Sequence, residues 1–346
     1  MTVTGEKDAA KEAAAQGPLL DVVDLKVDFH RGGQTVQAVA GVTFSIERGE
    51  TLGLVGESGC GKSTTGRAIV QVERPTGGSV SFKGTDLTGL DRRSLRSART
   101  GIQMIFQDPI SSLNPRRRVR DIVAEPLDIW KRGSKGERAQ IVREMLTAVG
   151  LDPDVAAERY PREFSGGQCQ RISIARALVL EPELLVCDEV VSALDVSVQA
   201  QILNLLEDLK ARYGLTLLFI AHDLAVVKNV SDRVAVMYLG RLCEIASADT
   251  LYEAPAHPYT SALMAAAVEP DPTSPVRPPA VKGEPPSPIN PPSGCRFRTR
   301  CPRAEARCAE EVPELREVAP RHLVACHFPL VGPTAPAPAE SPAATA

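Results

Sequence analysis

Three short apolar runs stand out along the chain: Leu52–Val55, Leu184–Cys187 and Leu215–Ile220. Continuous apolar runs of this length, without polar alternation, predict strands buried on both faces of a sheet. Each run leads into a few polar residues and then into a helical spacing of apolar positions. That alternation predicts an α/β fold with helices on both faces of a parallel sheet. The stretches VRDIVAEPLDIW (119–130) and RAQIVREMLTAVG (138–150) are amphipathic at helical period, so the segment from Asp108 to Pro161 reads as mainly helical. In such folds the reactive groups collect just beyond the C-terminal strand ends. The three runs are therefore expected to converge at those ends.

The ends of the chain read differently. Residues 1–17 are polar and Ala-rich, and Pro333–Ala346 is a Pro/Ala tail; both are expected to be disordered. Prolines crowd Glu269–Ser293, which excludes helix and inner strand and predicts an extended connector. No internal repeat is present.

Composition narrows the class. The 346 residues carry 43% hydrophobic side chains, enough for a real core, but only 4% aromatics. A net charge of −3 argues against a protein dominated by nucleic-acid binding. No apolar run approaches the roughly 18 residues of a membrane span, and the N-terminus lacks the apolar middle of a secretory signal. The chain reads as cytosolic, which is compatible with a peripheral subunit of a membrane complex. The basic runs RRSLRSAR (92–99) and RRRVR (116–120) read as solvated faces, or else as contacts with headgroups or a partner.

The first strand end carries chemistry. Gly56, Glu57, Ser58, Gly59, Cys60, Gly61, Lys62 and Ser63 form the pattern G-x-x-x-x-G-K-S between a strand and a helix. The glycines let successive amides turn inward as an anion nest, and the helix start adds positive character. Lys62 reaches β- and γ-phosphates, Ser63 offers a hydroxyl to Mg²⁺, and Thr64 a further bond to phosphate. The second strand ends in the acid pair Asp188-Glu189. Asp188 is suited to Mg²⁺ opposite Ser63, and Glu189 to polarising an attacking water. The third ends at His222, within reach of a γ-phosphate if the strands lie side by side.

With these in place, FSGGQCQR (164–171) resembles the signature of ABC ATPases, with Phe for the usual Leu. The resemblance implies a P-loop NTPase (RecA-like) core with a helical signature subdomain. It assigns Gln107 to the Q-loop as a Mg²⁺ ligand and catalytic group, and Asp188 and Glu189 to the Walker B acids. It also assigns Asp195 to the D-loop, His222 to the switch histidine and Phe29 to stacking on adenine; Phe29 also reads as strand core, with Phe44 nearby. Ser165, Gly166, Gly167 and Gln168 precede a helical pattern and would form a second anion nest. One chain then has two phosphate sites, and the family pairs two cassettes head to tail so that each closes the other's ATP. Two positions depart from the family: Val190 stands where Pro is usual, and Cys169 where Arg is common.

Further stretches narrow the resemblance. VGESGCGKST, FQDPISSLNPR, EPL (125–127), HPYT (257–260) and INPPSGCRFRTRCP (289–302) look like the ATP-binding subunits of oligopeptide/dipeptide importers, a branch that includes nickel importers. The domains implied are an ABC ATPase domain over 18–254, with a helical subdomain at about 108–170, and a C-terminal region over 255–330. A second ATPase subunit (a paralogue in this family), two transmembrane permease subunits and, indirectly, an extracytoplasmic peptide-binding protein are the implied partners, with no nucleic acid. The implied location is peripheral, on the cytoplasmic side of the membrane. The other reading is a soluble ABC ATPase of translation or DNA repair. Such proteins usually carry two cassettes or a long coiled-coil insertion, and this chain has neither.

Cys295, Cys301, Cys308 and Cys326 are bunched as C-x5-C-x6-C-x17-C. By count, four thiolates suit zinc or a [4Fe–4S] cluster equally. Pro302 after the second cysteine, the missing C-x2-C pairs and the importer resemblance favour [4Fe–4S]; plain reduced thiols are the remaining alternative.

Overall fold

The protein is described by a computed structural model over residues 17–267 and 283–330. The polar N-terminal stretch, the Pro/Ala tail and most of the proline connector lie outside the described residues. The described part of the connector, 283–293, holds neither helix nor strand.

The twelve described strands are β1 (Leu20–Arg31), β2 (Gln34–Ile46), β3 (Thr51–Val55), β4 (Gly77–Phe82), β5 (Thr85–Asp86), β6 (Ile102–Ile105), β7 (Leu184–Asp188), β8 (Thr216–Ile220), β9 (Arg233–Tyr238), β10 (Arg241–Ser247), β11 (Arg316–Ala319) and β12 (His322–Val324). They form a four-stranded sheet, β2-β1-β4-β5, and an eight-stranded sheet, β11-β12-β10-β9-β3-β8-β7-β6. Every residue of β3, β7 and β8 is buried, as continuous apolar runs require. β8 is parallel to both β3 and β7 and lies between them, so the three strand ends sit side by side.

The insertion is helical. Pro109–Ser112, Val119–Trp130, Lys135–Ala148 and Pro153–Ala156 are helices, with Ile122, Val123, Leu127, Val142 and Leu146 buried among them. Ser134 and Glu137 form a capping box that starts the Lys135–Ala148 helix. The Gly166–Leu178 helix joins this group through Ile172 and carries it to the sheet.

The C-terminal region does not stand apart. β12 pairs antiparallel with β10, and β11 with β12, so the extension completes one edge of the larger sheet. Glu244 of β10, fully buried, anchors it: Oε1 bonds His322 Nε2 at 2.7 Å, and its two oxygens accept the amides of Ala256 and His257.

Candidate functional site: the phosphate loop and its facing acids

The loop between β3 and the helix Lys62–Ile69 curls through glycines at φ 153° (Gly56), 76° (Gly59) and 108° (Gly61). A Cβ on Gly56 would stand 2.1 Å from the Met237 carbonyl oxygen, and one on Gly61 2.1 Å from that of Ala38. Only glycine fits where backbone approaches so closely. Lys62 is 4% exposed; its Nζ donates to the carbonyls of Gly56 (2.8 Å) and Glu57 (3.1 Å). Ser58, Gly59, Gly61, Lys62, Ser63 and Thr64 line a cavity of about 230 Å³, with Gln107 and Glu189 also in its wall.

Ser63 Oγ donates to Asp188 Oδ1 at 2.7 Å, and the Asp188 side chain is fully buried. Burial pushes the Asp188 carboxyl above its ordinary range, while the Ser63 bond opposes this. Asp188 Oδ2 is buried without a hydrogen-bond partner. A buried, half-satisfied carboxylate beside a hydroxyl calls for a further group, and an oxygen-seeking cation such as Mg²⁺ fits this donor set.

Glu189 solves the facing problem posed by two adjacent acids on a strand. It takes φ 49°, in the left-handed region, immediately after β7 ends, while its amide still donates to the Ile220 carbonyl at 2.9 Å. This turns its carboxylate to Gln107, whose Nε2 donates to Oε2 at 2.8 Å, and to His222, whose Nδ1 lies 3.7 Å from the same oxygen. Val190, in the position where Pro is usual, is a buried core residue.

The second nest is separate. Ser165 caps the Gly166–Leu178 helix: its hydroxyl accepts the Gln168 amide at 3.3 Å, and Gln168 Oε1 accepts the Ser165 amide at 3.0 Å. A Cβ on Gly167 would stand 2.5 Å from Val198 Cγ1, so the signature packs against the helix that begins after Asp195. None of Ser165–Gln168 lines the phosphate-loop cavity of its own chain. Asp195 does not line it either, and Val196 beside it is 82% exposed.

Glu57, Cys60 and Phe29 do not line the cavity. The Glu57 amide donates to the Tyr259 hydroxyl at 3.0 Å and its carboxylate pairs with Arg300, so Glu57 faces away from the cavity. Cys60 is likewise buried behind the loop and absent from the cavity wall. Phe44 is core, while Phe29 is 40% exposed and reaches the cavity only through its strand partner Val36. The basic runs are largely paired: Arg117 with Glu125, and Arg118 and Arg120 with Glu158. Arg99 donates to the carbonyls of Val70 and Gln71.

The expectation of a [4Fe–4S] cluster finds no support in this structure. The four cysteines do converge, lining one cavity with His257 and His327. That cavity is about 10 Å³, room for about one water. Among the described residues no group of three or more His, Cys, Asp or Glu is placed to hold a metal ion. Burial raises the Cys295, Cys301 and Cys326 thiols, the last to about 11.

Sequence reasoning missed Gln37, Ala38, Gly240 and Pro288 in the cavity wall. Gly240 carried the one legible signal, a glycine between two apolar strand runs, where a hairpin turn requires positive φ (81°).

Comparison with known proteins agrees with this geometry. The ABC transporter family model matches residues 39–192, and that of the oligopeptide/dipeptide transporter C-terminal region matches 243–308. The putative oligopeptide transport ATP-binding protein YkfD of Bacillus subtilis is 55% identical over 328 residues, covering 90% of this chain and 95% of that one. OppF of Salmonella typhimurium, an oligopeptide transport ATP-binding protein, is 53% identical over 333 residues, covering 89% and 95%. Among solved structures, the dimeric post-hydrolysis state of the ATP-binding cassette MJ0796 with ADP and Pi superimposes with a TM-score of 0.61 at 29% identity, over 66% of this chain and 98% of that one. CbiO1 of Clostridium perfringens, part of the complex cbiONQ, gives 0.62 at 26%, over 68% and 91%. With its phosphate loop, facing acids and signature helix in one cassette, the chain belongs to the ATP-hydrolysing subunits of ABC transporters, in the oligopeptide transport ATP-binding protein family.

Proposed function

We propose that the chain powers oligopeptide or dipeptide import by closing and reopening a pair of cassettes around ATP. The observation that carries this is the Glu189 carboxylate, held by Gln107 and beside His222, facing the phosphate-loop cavity across from Lys62 and Ser63. The peptide cargo rests on the printed names of the relatives and on the match of the C-terminal region.

In this reading the loop amides and Lys62 hold the phosphates of ATP. Lys62 leaves the carbonyls of Gly56 and Glu57 when the γ-phosphate arrives. Glu189 accepts a proton from the attacking water, and Gln107 and His222 orient the carboxylate and the γ-phosphate. Ser63, Asp188 and Gln107 would hold Mg²⁺, which supplies charge neutralisation at the phosphates. Stacking of the exposed Phe29 ring on adenine belongs to the same reading, supported by its exposure and its pairing with Val36 of the cavity wall. The signature nest of Ser165–Gln168, with Asp195, serves the nucleotide of a second cassette, since it is absent from the cavity of its own chain. The dimeric state named for the MJ0796 cassette supports the pairing.

Coupling to a permease has a physical candidate. A groove of about 730 Å³ runs between Gln107 and the helical insertion, lined by Phe106, Ile129, Trp130 and Arg99 among others. Phe106 (37%) and Ile129 (53%) are exposed apolar groups in its wall. We place a short cytoplasmic helix of a permease there. Among the described residues no helix is long and apolar enough to cross a membrane, so membrane attachment would run through such contacts.

Glu189→Gln tests the assignment of the base. The variant is expected to bind ATP as the wild type does and to lose turnover by at least about 100-fold, the usual contribution of a positioned general base. Turnover at the wild-type rate would remove Glu189 from that role.

A further inference from the structure

The phosphate loop is braced from outside the nucleotide cavity by residues that follow the loop by more than 200 positions. Arg300 Nη1 donates to both Glu57 carboxylate oxygens, at 3.0 and 2.8 Å, and to the Tyr238 hydroxyl at 3.2 Å. Its side chain is only 7% exposed, so this pair is shielded from solvent in a way that surface pairs are not. Tyr259 holds the other half of the same residue, accepting the Glu57 amide on its hydroxyl. The rings of Tyr238, Tyr259 and Phe297 are buried and lie 4.7–5.3 Å apart in mutual contact, which makes a rigid backing. On the opposite side the Glu57 carbonyl is one of the two that Lys62 rests on.

Glu57 is thus gripped through amide, carboxylate and carbonyl at once. The loop amides must point inward before ATP arrives, and a loop already ordered need not lose that freedom on binding. We infer that Arg300, with Tyr259, is a positioning residue for ATP: the C-terminal region serves the cassette as a strut that preorganises the phosphate loop. Arg300 does not line the phosphate-loop cavity and acts through Glu57. The strut lies next to Cys301, which lines the thiol cavity.

The test is a split of KM for ATP against kcat in the assembled transporter. Arg300→Ala is expected to raise KM for ATP about tenfold with kcat within about twofold, since binding rather than chemistry is affected. Arg300→Lys keeps one charge and should recover part of the loss. Arg316→Ala is the control: in the same extension, its guanidinium donates to the carbonyls of Cys326 and His327 rather than to the loop, and it should leave KM unchanged. Thermal melts confirm that all three variants are folded. An unchanged KM in folded Arg300→Ala would overturn the inference. So would an equal rise in Arg316→Ala, which would make the effect one of general loosening.

Discussion

At the residue scale the site is decided by a few backbone and burial choices. Glu189 leaves the strand in the left-handed region, a conformation uncommon for a side-chain-bearing residue, and that one torsion separates its carboxylate from Asp188. Asp188 stays in the sheet, buried, with one oxygen on Ser63 and the other unmet. His257 provides a residue-scale test of a different kind. Burial pushes its imidazole down to about 4, against a smaller opposing pull from Glu244, and its Nδ1 accepts the Tyr259 amide at 3.0 Å. The folded state therefore favours the neutral ring, and protonation would place a hydrogen where an acceptor is needed. Stability from this group is complete above about pH 6.5 and is lost as pH falls towards 4, by about 2 kcal/mol at pH 5. Urea unfolding at pH 7 and pH 5 should register that loss in the wild type. The loss should be largely absent in His257→Gln. Equal pH slopes in both proteins would show that His257 does not titrate across unfolding.

At the element scale, what the sequence discloses depends on how completely an element is buried. β3, β7 and β8 are covered on both faces, so continuous apolar runs betray them, and their adjacency follows from the rule about strand ends. The insertion helices are legible because Val119–Trp130 alternates buried and exposed faces at helical period. β1 and β2 are harder to read: register shifts break their alternation, and Val23 is 44% exposed within β1. β11 and β12 are four and three residues long, too short for any periodicity, and only the paired edge of β10 makes them strands. Their docking depends on Glu244, whose carboxylate holds His322 and two amides from the start of the extension. Glu244→Ala strands all three partners in the interior and should cost about 3 kcal/mol in urea unfolding. A cost below about 1 kcal/mol would mean that apolar contacts alone dock the extension.

At the scale of the whole molecule, motif spacing made the phosphate loop, the acid pair and the signature legible, because each is a local run of backbone chemistry. The links between distant segments had no such mark. Nothing in the spacing ties Arg300 to Glu57, 243 positions away, or places Pro288 in the wall of the nucleotide cavity. The cysteine spacing suggested a cluster, but spacing alone carries no information about the room left between four thiols. The central claim is that one cassette holds two half-sites, neither of which completes the other within the same chain. The most direct measurement is ATP turnover per chain against cassette concentration, with the assembly state followed by mass photometry in the same samples. Turnover per chain should rise with concentration and level off as paired cassettes fill. A rate per chain that stays constant down to concentrations at which only single cassettes are present would contradict the claim.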